Sequence, residues 1–257
     1  MSSIAINSDV AEGFGAWSFG ADEELLEHIT AANVACGFHA GDPATIRSIT
    51  DRAVRGGVAI GAQVSYRDLA GFGRRFIDAD AETLWADLVY QIGALEVFAR
   101  VAGGAVTYAK AHGALYNTAA RHEVHAQALV DAVAATGPDR PILCQPGTEV
   151  WTRAERAGLT PICEVFADRA YTDEGLLAKR GTPGSLVTDA DEIVERSLRM
   201  VQEGTVRTVS GASFAFPVAP GSVCIHSDTP GAGASAAALS TAFREAGIEL
   251  VGIGGPR

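Results

Sequence analysis

Short apolar runs that end in reactive polar residues recur along this chain, with helical patterns between them. Ile4-Ala5-Ile6 leads to Asp9 and Glu12, and Ala32-Asn33-Val34-Ala35-Cys36 leads through Gly37-Phe38 to His39 and Asp42. Val106-Thr107-Tyr108-Ala109 leads to Lys110 and His112, and Ser222-Val223-Cys224-Ile225 to His226 and Asp228. The runs are mostly continuous rather than alternating, as in parallel strands covered on both faces. Strands are expected at 4–9, 32–38, 58–64, 106–109, 141–144, 161–166, 206–209, 222–226 and 249–253. Helical spacing marks 45–54, 81–101, 123–135, 149–157, 191–202 and 235–246. The clearest is 81–101, where Leu84, Leu88, Ile92, Leu95 and Phe98-Ala99 recur at three- and four-residue steps. Asp78 or Asp80 would cap its start, and Gly103-Gly104 would end it.

Strand–helix alternation over most of the length implies an α/β protein with right-handed crossovers. Seven or eight mainly parallel strands in 257 residues favour closure into an irregular TIM-like barrel over an open doubly wound sheet. No linker, low-complexity segment or long charge run divides the chain, so a single domain over 1–257 is expected. A barrel collects its chemistry at the ends of its strands, where the polar residues above recur. Two long irregular stretches, 65–79 and 167–188, are expected to lie over those ends as binding loops.

A net charge of −11 argues against nucleic acid or an anionic membrane as a partner. No apolar stretch approaches a membrane span, and no basic-then-apolar leader opens the chain. Cys36, Cys144, Cys163 and Cys224 sit in or beside apolar runs without CxxC spacing, which suits buried, reduced thiols in a cytoplasmic protein.

Several constellations can carry chemistry. Asp9 and Glu12, three residues apart beside Gly13, suit a cation or an acid–base pair. In His39 with Asp42, the carboxylate either orients the imidazole or caps the helix that Pro43 begins. Lys110 and His112 leave a strand end on one side, a cation and an imidazole for a developing oxyanion. Arg67, Asp68, Arg74 and Arg75 crowd one loop, where arginine forks grip carboxylates or phosphates. Glu164, Asp168, Arg169 and Tyr171 follow a later strand. His28, His122 and His125 lie on helical patterns as expected surface residues. No Walker loop, Rossmann GxGxxG, GxSxG elbow or HExxH helix occurs.

The runs 7–15, 33–43, 65–75, 110–117, 166–177 and 225–230 together resemble the LamB/YcsF family, whose members are the A subunit of bacterial 5-oxoprolinase. The resemblance spans nearly the whole chain in order, and 33–43 is its most specific part. It implies an irregular (β/α) barrel related to glycoside hydrolases and deacetylases. It also implies ATP-dependent opening of 5-oxoproline (pyroglutamate) to L-glutamate with separate B and C subunits. ATP would be a co-substrate, with Mg²⁺ on Asp9 or Glu12. The substrate carboxylate would meet Arg74, Arg75 or backbone N–H groups near Gly13 and Gly41. Lys110 would stabilise developing charge, and His39 or His112 would be the base, oriented by Asp42 or Asp9. Glu12, Gln63, Asp68, Glu164, His226 and Asp228 complete the expected substrate-binding set. Members usually read Gly-Ala-His-Pro-Ser where this chain has Gly61-Ala62-Gln63-Val64-Ser65. Two further departures are Lys110-Ala111-His112 for Lys-Pro-His and His226-Ser227-Asp228 for His-Gly-Asp. A metal site built on position 63 is thereby in question. The rival readings are an ATP-independent, metal-dependent amide hydrolase or N-deacetylase using Asp9, His39 and His112, and a non-catalytic organising subunit.

Overall fold

The computed structural model describes residues 2–254, so the two ends of the expected 1–257 domain lie outside the described residues. Along the chain follow β1 (Ser3–Val10), α1 (Asp22–Leu26), β2 (Ala31–Ala35), α2 (Pro43–Arg55), β3 (Ala59–Val64) and, after a 3₁₀ turn at Leu69–Gly71, α3 (Ala81–Val101). Next come β4 (Val106–Ala111), α4 (Gly113–Ala119), α5 (Glu123–Thr136), β5 (Ile142–Cys144), α6 (Glu149–Arg156) and β6 (Pro161–Phe166). The last are α7 (Ala190–Glu203), β7 (Thr205–Arg207), β8 (Ser213–Ala215), β9 (Ser222–Cys224), α8 (Ala232–Glu245) and β10 (Glu249–Leu250). Strands β1 to β6 and β9 pair in parallel, and β9 pairs back onto β1, closing a ring of seven.

The parallel registers set one inward face around this ring. Asp9 lies level with Asn33, Asn33 with Gly61, Gln63 with Lys110, Lys110 with Leu143, and Glu164 with Ser222. The opposite face of the same strands carries Ile4, Ile6, Val34, Ile60, Val165 and Val223, all buried under the helices. Helix α3 lays Leu84, Leu88, Ile92 and Leu95 onto that apolar layer, and Asp80 caps it by accepting from Thr83 N at 2.8 Å.

The barrel floor is apolar, with Ala5, Ala31, Tyr108, Leu143 and Ile253 in one cluster. Small neighbours are what admit Tyr108: a Cβ on Gly61 would sit 2.2 Å from its ring carbons. The Tyr108 hydroxyl then donates to Asn33 Oδ1 at 2.6 Å, which starts the polar layer above. The tail closes the floor, as Thr30 and Thr107 hydroxyls donate to the Val251 and Ile253 carbonyls, each at 2.6 Å.

Three expectations need correction. The run at 206–209 is not a ring strand; β7 and β8 form a separate antiparallel ribbon. Its alternating burial, with Val206 inside and Arg207 exposed, suits a ribbon covered on one face. Of 249–253, only β10 pairs, outside the ring against the start of β1. His125 is buried rather than superficial: its Nδ1 lies 2.6 Å from the Tyr66 hydroxyl and its Nε2 3.0 Å from the Ala79 carbonyl, so it pins the 65–79 loop. The four cysteines are buried and free.

Candidate active site

The inward-facing polar residues gather in layers below a cavity of about 630 Å³ at the carboxyl ends of the strands. Asp9, Lys110, His112, Phe166 and His226 line its floor. Loops 65–79 and 167–188 supply its rim through Arg74 and through Leu177, Lys179 and Arg180, as their length suggested.

Lys110 is the charge at the centre. Its Nζ lies 2.7 Å from Glu164 Oε1, 3.3 Å from Asp9 Oδ1, and 3.2 Å from both Asn7 Oδ1 and Cys224 Sγ. Burial opposes its charge, but Asp9, Cys224 and Glu164 raise its pKa well above the ordinary lysine value. Burial also pushes the Asp9 carboxyl up, yet Lys110, His112 and His226 hold it well below the usual range. Asn33 donates to Asp9 Oδ1 at 2.8 Å and to Asn7 Oδ1 at 2.7 Å, fixing both acceptors.

Glu12 behaves in the opposite way. Burial and then the nearby Asp9 charge raise its pKa well above the glutamate value. Two carboxyls in one site are thus driven apart, Asp9 toward its ionised form and Glu12 toward its protonated one, which is the arrangement of an acid–base pair. Ser227 donates to Glu12 Oε2 at 3.2 Å, and Gln63 Nε2 donates to Glu12 Oε1 at 3.1 Å.

The two imidazoles stack with ring centroids 4.1 Å apart. His112 Nε2 lies 3.0 Å from the Phe72 carbonyl, which accepts the ring N–H and leaves Nδ1 as a lone pair. That lone pair faces Gln63 Nε2 at 2.8 Å, Glu12 Oε1 at 3.4 Å and Asp9 Oδ2 at 3.7 Å. Burial lowers the pKa of both histidines, so both are neutral bases. The Phe72 carbonyl is held in place by a close backbone approach: Ala114 N donates to Gly73 O at 2.8 Å. A Cβ on Gly113 would sit 2.5 Å from that oxygen, and Gly113 has φ +59°.

Not every expected residue reaches the cavity. His39 is fully buried behind His112, where it meets the site through Gln63, through the ring stack and through Glu12 Oε1 at 3.9 Å. Asp42 does not orient His39; it caps α2, accepting from Ala44 N, Thr45 N, the Thr45 hydroxyl and Gly15 N. The Thr45 hydroxyl and the Gly15 N–H bring its pKa down to about 2. Arg75 is spent on Asp68, whose carboxylate also receives Gly71 N at 2.9 Å, so this pair shapes the loop instead of holding substrate. Gly13 turns the backbone: its carbonyl accepts from Gly41 N at 3.0 Å, and a Cβ would meet Trp17 O at 2.9 Å.

Other participants carry weaker signals in the sequence. Asn7 lies two residues before Asp9, so strand period alone places it on the same face. Asp168 receives His226 Nδ1 at 2.9 Å and His226 N at 3.2 Å; burial opposes its ionisation, but His226 and Thr229 bring its pKa to about 2. Arg180 and Lys179 come from an irregular loop with no periodicity to mark them.

A divalent ion fits poorly here. Glu12, His39 and His112 offer donor atoms within 4.8 Å of one another, a suitable ligand set in type. The Gln63 amide, however, bonds to all three: Glu12 at 3.1 Å, His112 at 2.8 Å and His39 Nε2 at 3.3 Å. Mg²⁺ on Asp9 and Glu12 fares no better, because Asp9 already faces Lys110 and Asn33, and both Glu12 oxygens already accept from Gln63 and Ser227. Removing the amide frees the donors. Gln63→Ala is therefore expected to acquire Co²⁺ binding, seen as new visible d–d absorption absent from the parent. Identical spectra for the two proteins would show that the amide is not what keeps an ion out.

A parallel barrel with a buried lysine, split carboxyls and a neutral histidine at its strand ends defines a candidate enzyme of the (β/α) barrel class. The chain belongs to the LamB/YcsF family, whose model it matches over residues 4–256. It is 49% identical to the 5-oxoprolinase A subunit of Kocuria rhizophila, covering 97% of this chain and 98% of that one. Its identity to the corresponding A subunit of Streptomyces coelicolor is 51%, covering 96% and 98%. The solved lactam utilization protein of Thermus thermophilus superimposes with a TM-score of 0.92 at 40% identity, covering 98% of this chain and 100% of that one. A family 113 β-1,4-mannanase shares the fold alone, with a TM-score of 0.53 and 11% identity. Among the described residues, no helix is long and apolar enough to cross a membrane.

Proposed function

We propose that this chain is the A subunit of a 5-oxoprolinase and opens the lactam ring of 5-oxoproline, activated at the expense of ATP, with B and C subunits as partners. The carrying observation is the convergence of Lys110, Asp9 and His112 on one cavity floor, with Glu12 Oε1 3.4 Å from His112 Nδ1. The names of relatives near half identity over nearly full length support the substrate.

A lactam resists water because its nitrogen lone pair is delocalised into the carbonyl. Transfer of the terminal phosphoryl group of ATP to the lactam oxygen releases ADP and leaves an electrophilic ring carbon. Water adds to that carbon, and its proton passes to the His112 Nδ1 lone pair, which the Gln63 amide gives up as substrate enters. The C–N bond then breaks toward nitrogen, with a proton supplied from the Glu12 carboxyl, leaving an acyl phosphate. A second water displaces phosphate and gives L-glutamate. Throughout, the Lys110 ammonium faces the oxygen on which negative charge accumulates. Asp9 keeps that ammonium charged and positioned.

The test is reconstitution: purified chain, B and C subunits, 5-oxoproline and ATP, with glutamate measured. Glutamate is expected only when all are present, and His112→Ala should lower turnover by about 10²–10⁴-fold. Full turnover without this chain, or with His112→Ala, would remove the proposed role.

A further inference from the structure

The rim of the cavity carries more positive charge than its partners neutralise. Arg74, Arg169, Lys179 and Arg180 all line it. Asp228 answers two of them, accepting from Arg74 Nη2 at 2.7 Å and from Arg180 Nη1 at 3.0 Å. Arg169 is buried and has only carbonyl acceptors, Ala178 O at 2.6 Å and Ser185 O at 3.4 Å. Its pKa is lowered by burial first and then by Arg180, against an opposing pull from Asp168, with Arg74 adding to the lowering. The other nearby carboxylate, Asp168, is engaged by His226 and Thr229. Among the described residues no carboxylate hydrogen-bonds to Arg169 directly, which is costly for a buried guanidinium. An anion that joins the cluster relieves that cost.

The size of the space points the same way. A five-membered ring with one carboxylate fills only a minor part of about 630 Å³. The reacting oxygen belongs beside Lys110 on the floor, whereas the arginines stand at the rim, on a different set of elements. Arginine forks match the several oxygens of a phosphoryl group better than one carboxylate does.

We infer that Arg74, Arg169 and Arg180 form a phosphoryl subsite, with Asp228 as its resident counter-ion, and that its ligand is the phosphoryl group carried by the activated substrate. This rests on the proposed function for the identity of the phosphoryl carrier; the subsite itself does not. When the phosphoryl group enters, Asp228 is repelled and the two guanidiniums it held turn to the incoming oxygens. The subsite thus selects the activated lactam over the free one.

Calorimetric titration of the full chain with inorganic phosphate tests this, with a non-hydrolysable ATP analogue as the second arm. Saturable phosphate binding is expected, weakened at least tenfold in Arg180→Ala and partly restored in Arg180→Lys. Asp228→Asn should bind phosphate more tightly than the parent, because it releases both arginines. No saturable phosphate binding in parent or Asp228→Asn, or binding indifferent to Arg180→Ala, would overturn the subsite. Nucleotide binding far tighter than phosphate and equally dependent on Arg180 would overturn the assignment to a substrate-borne group. Failure here with glutamate still formed by the reconstituted complex would leave the proposed function standing and remove only the subsite.

Discussion

Lys110→Met should lose about 3–5 kcal/mol of folding stability at neutral pH, the usual cost of stranding buried charges by removing one partner. Asp9 and Glu164, both buried, would face one another across the barrel without the ammonium that lies 3.3 Å and 2.7 Å from them. The loss should depend on pH. Asp9 has a folded pKa well below its unfolded value, a stabilisation present above the unfolded pKa and lost as pH falls through the folded one. Without Lys110 that stabilisation disappears, so the gap between parent and variant should stay wide from pH 8 down to the ordinary aspartate value of 3.8 and narrow only below it. Urea unfolding across that range measures it. Lys110→Met with Glu164→Gln should recover part of the loss, because one stranded carboxylate is then neutral. Turnover should fall by about 10²–10³-fold in Lys110→Met, the effect of removing a preorganised charge from an oxyanion. A variant as stable as its parent at pH 8 would mean that Lys110 is not the counter-ion of this core.

Glu12→Gln should separate activity from stability. In the proposed mechanism the Glu12 carboxyl supplies the proton to the leaving nitrogen, and an amide cannot replace it, so turnover should drop by about 10²–10⁴-fold. Stability should move the other way. The folded pKa of Glu12 is raised, so the native state holds a proton that the unfolded chain has already released above its ordinary pKa of 4.5. Unfolding free energy therefore declines with rising pH through this window, by up to about 1.4 kcal/mol per pH unit, until the folded pKa is passed. Glu12→Gln has no such proton to lose. Its stability should exceed that of the parent increasingly as pH rises above 5, and the parent's turnover should fall on the alkaline side as Glu12 ionises. A variant that is less stable than the parent at pH 8 would contradict a protonated Glu12.

The two predictions describe one electrostatic design. The barrel interior holds a permanent ammonium and lets it select which carboxyl ionises. Asp9, in contact with Nζ, is held toward its charged form, while burial and the Asp9 charge push Glu12, one contact further away beside Gln63, toward its neutral form. His112 stands between them as a neutral base because burial disfavours its imidazolium form. Gln63 completes the arrangement by bonding to both imidazoles and to Glu12, so these side chains are held in place before any ligand arrives.

Much of the architecture can be read along the chain because it is local. A parallel strand covered on both faces must be apolar over consecutive residues, and the helix between two such strands must repeat its apolar face every three or four. Ile4-Ala5-Ile6 and the Leu84–Leu88–Ile92–Leu95 series meet these conditions without reference to anything distant. Period two also carries Asn7 with Asp9, and Lys110 with His112, to one side of their strands. The run at 206–209 shows where local evidence ends: Val206 and its neighbours satisfy the strand pattern, but ring membership depends on which partner edge is free, and β9 takes it.

The residue types from which the pocket is made, and the strand ends on which they stand, follow from short-range pattern alone. Which of them touch is a long-range matter, since Lys110 reaches Asp9 across about a hundred residues of chain, a contact that no spacing encodes. Folding also assigned Asp42 to a helix cap and Arg75 to Asp68, while it brought Arg180 from an unpatterned loop to Asp228. Carboxylates and guanidiniums look alike in a sequence. Burial and the sign of the nearest charge make one of them a reactant and another a brace, and both exist only once the ring of strands has closed.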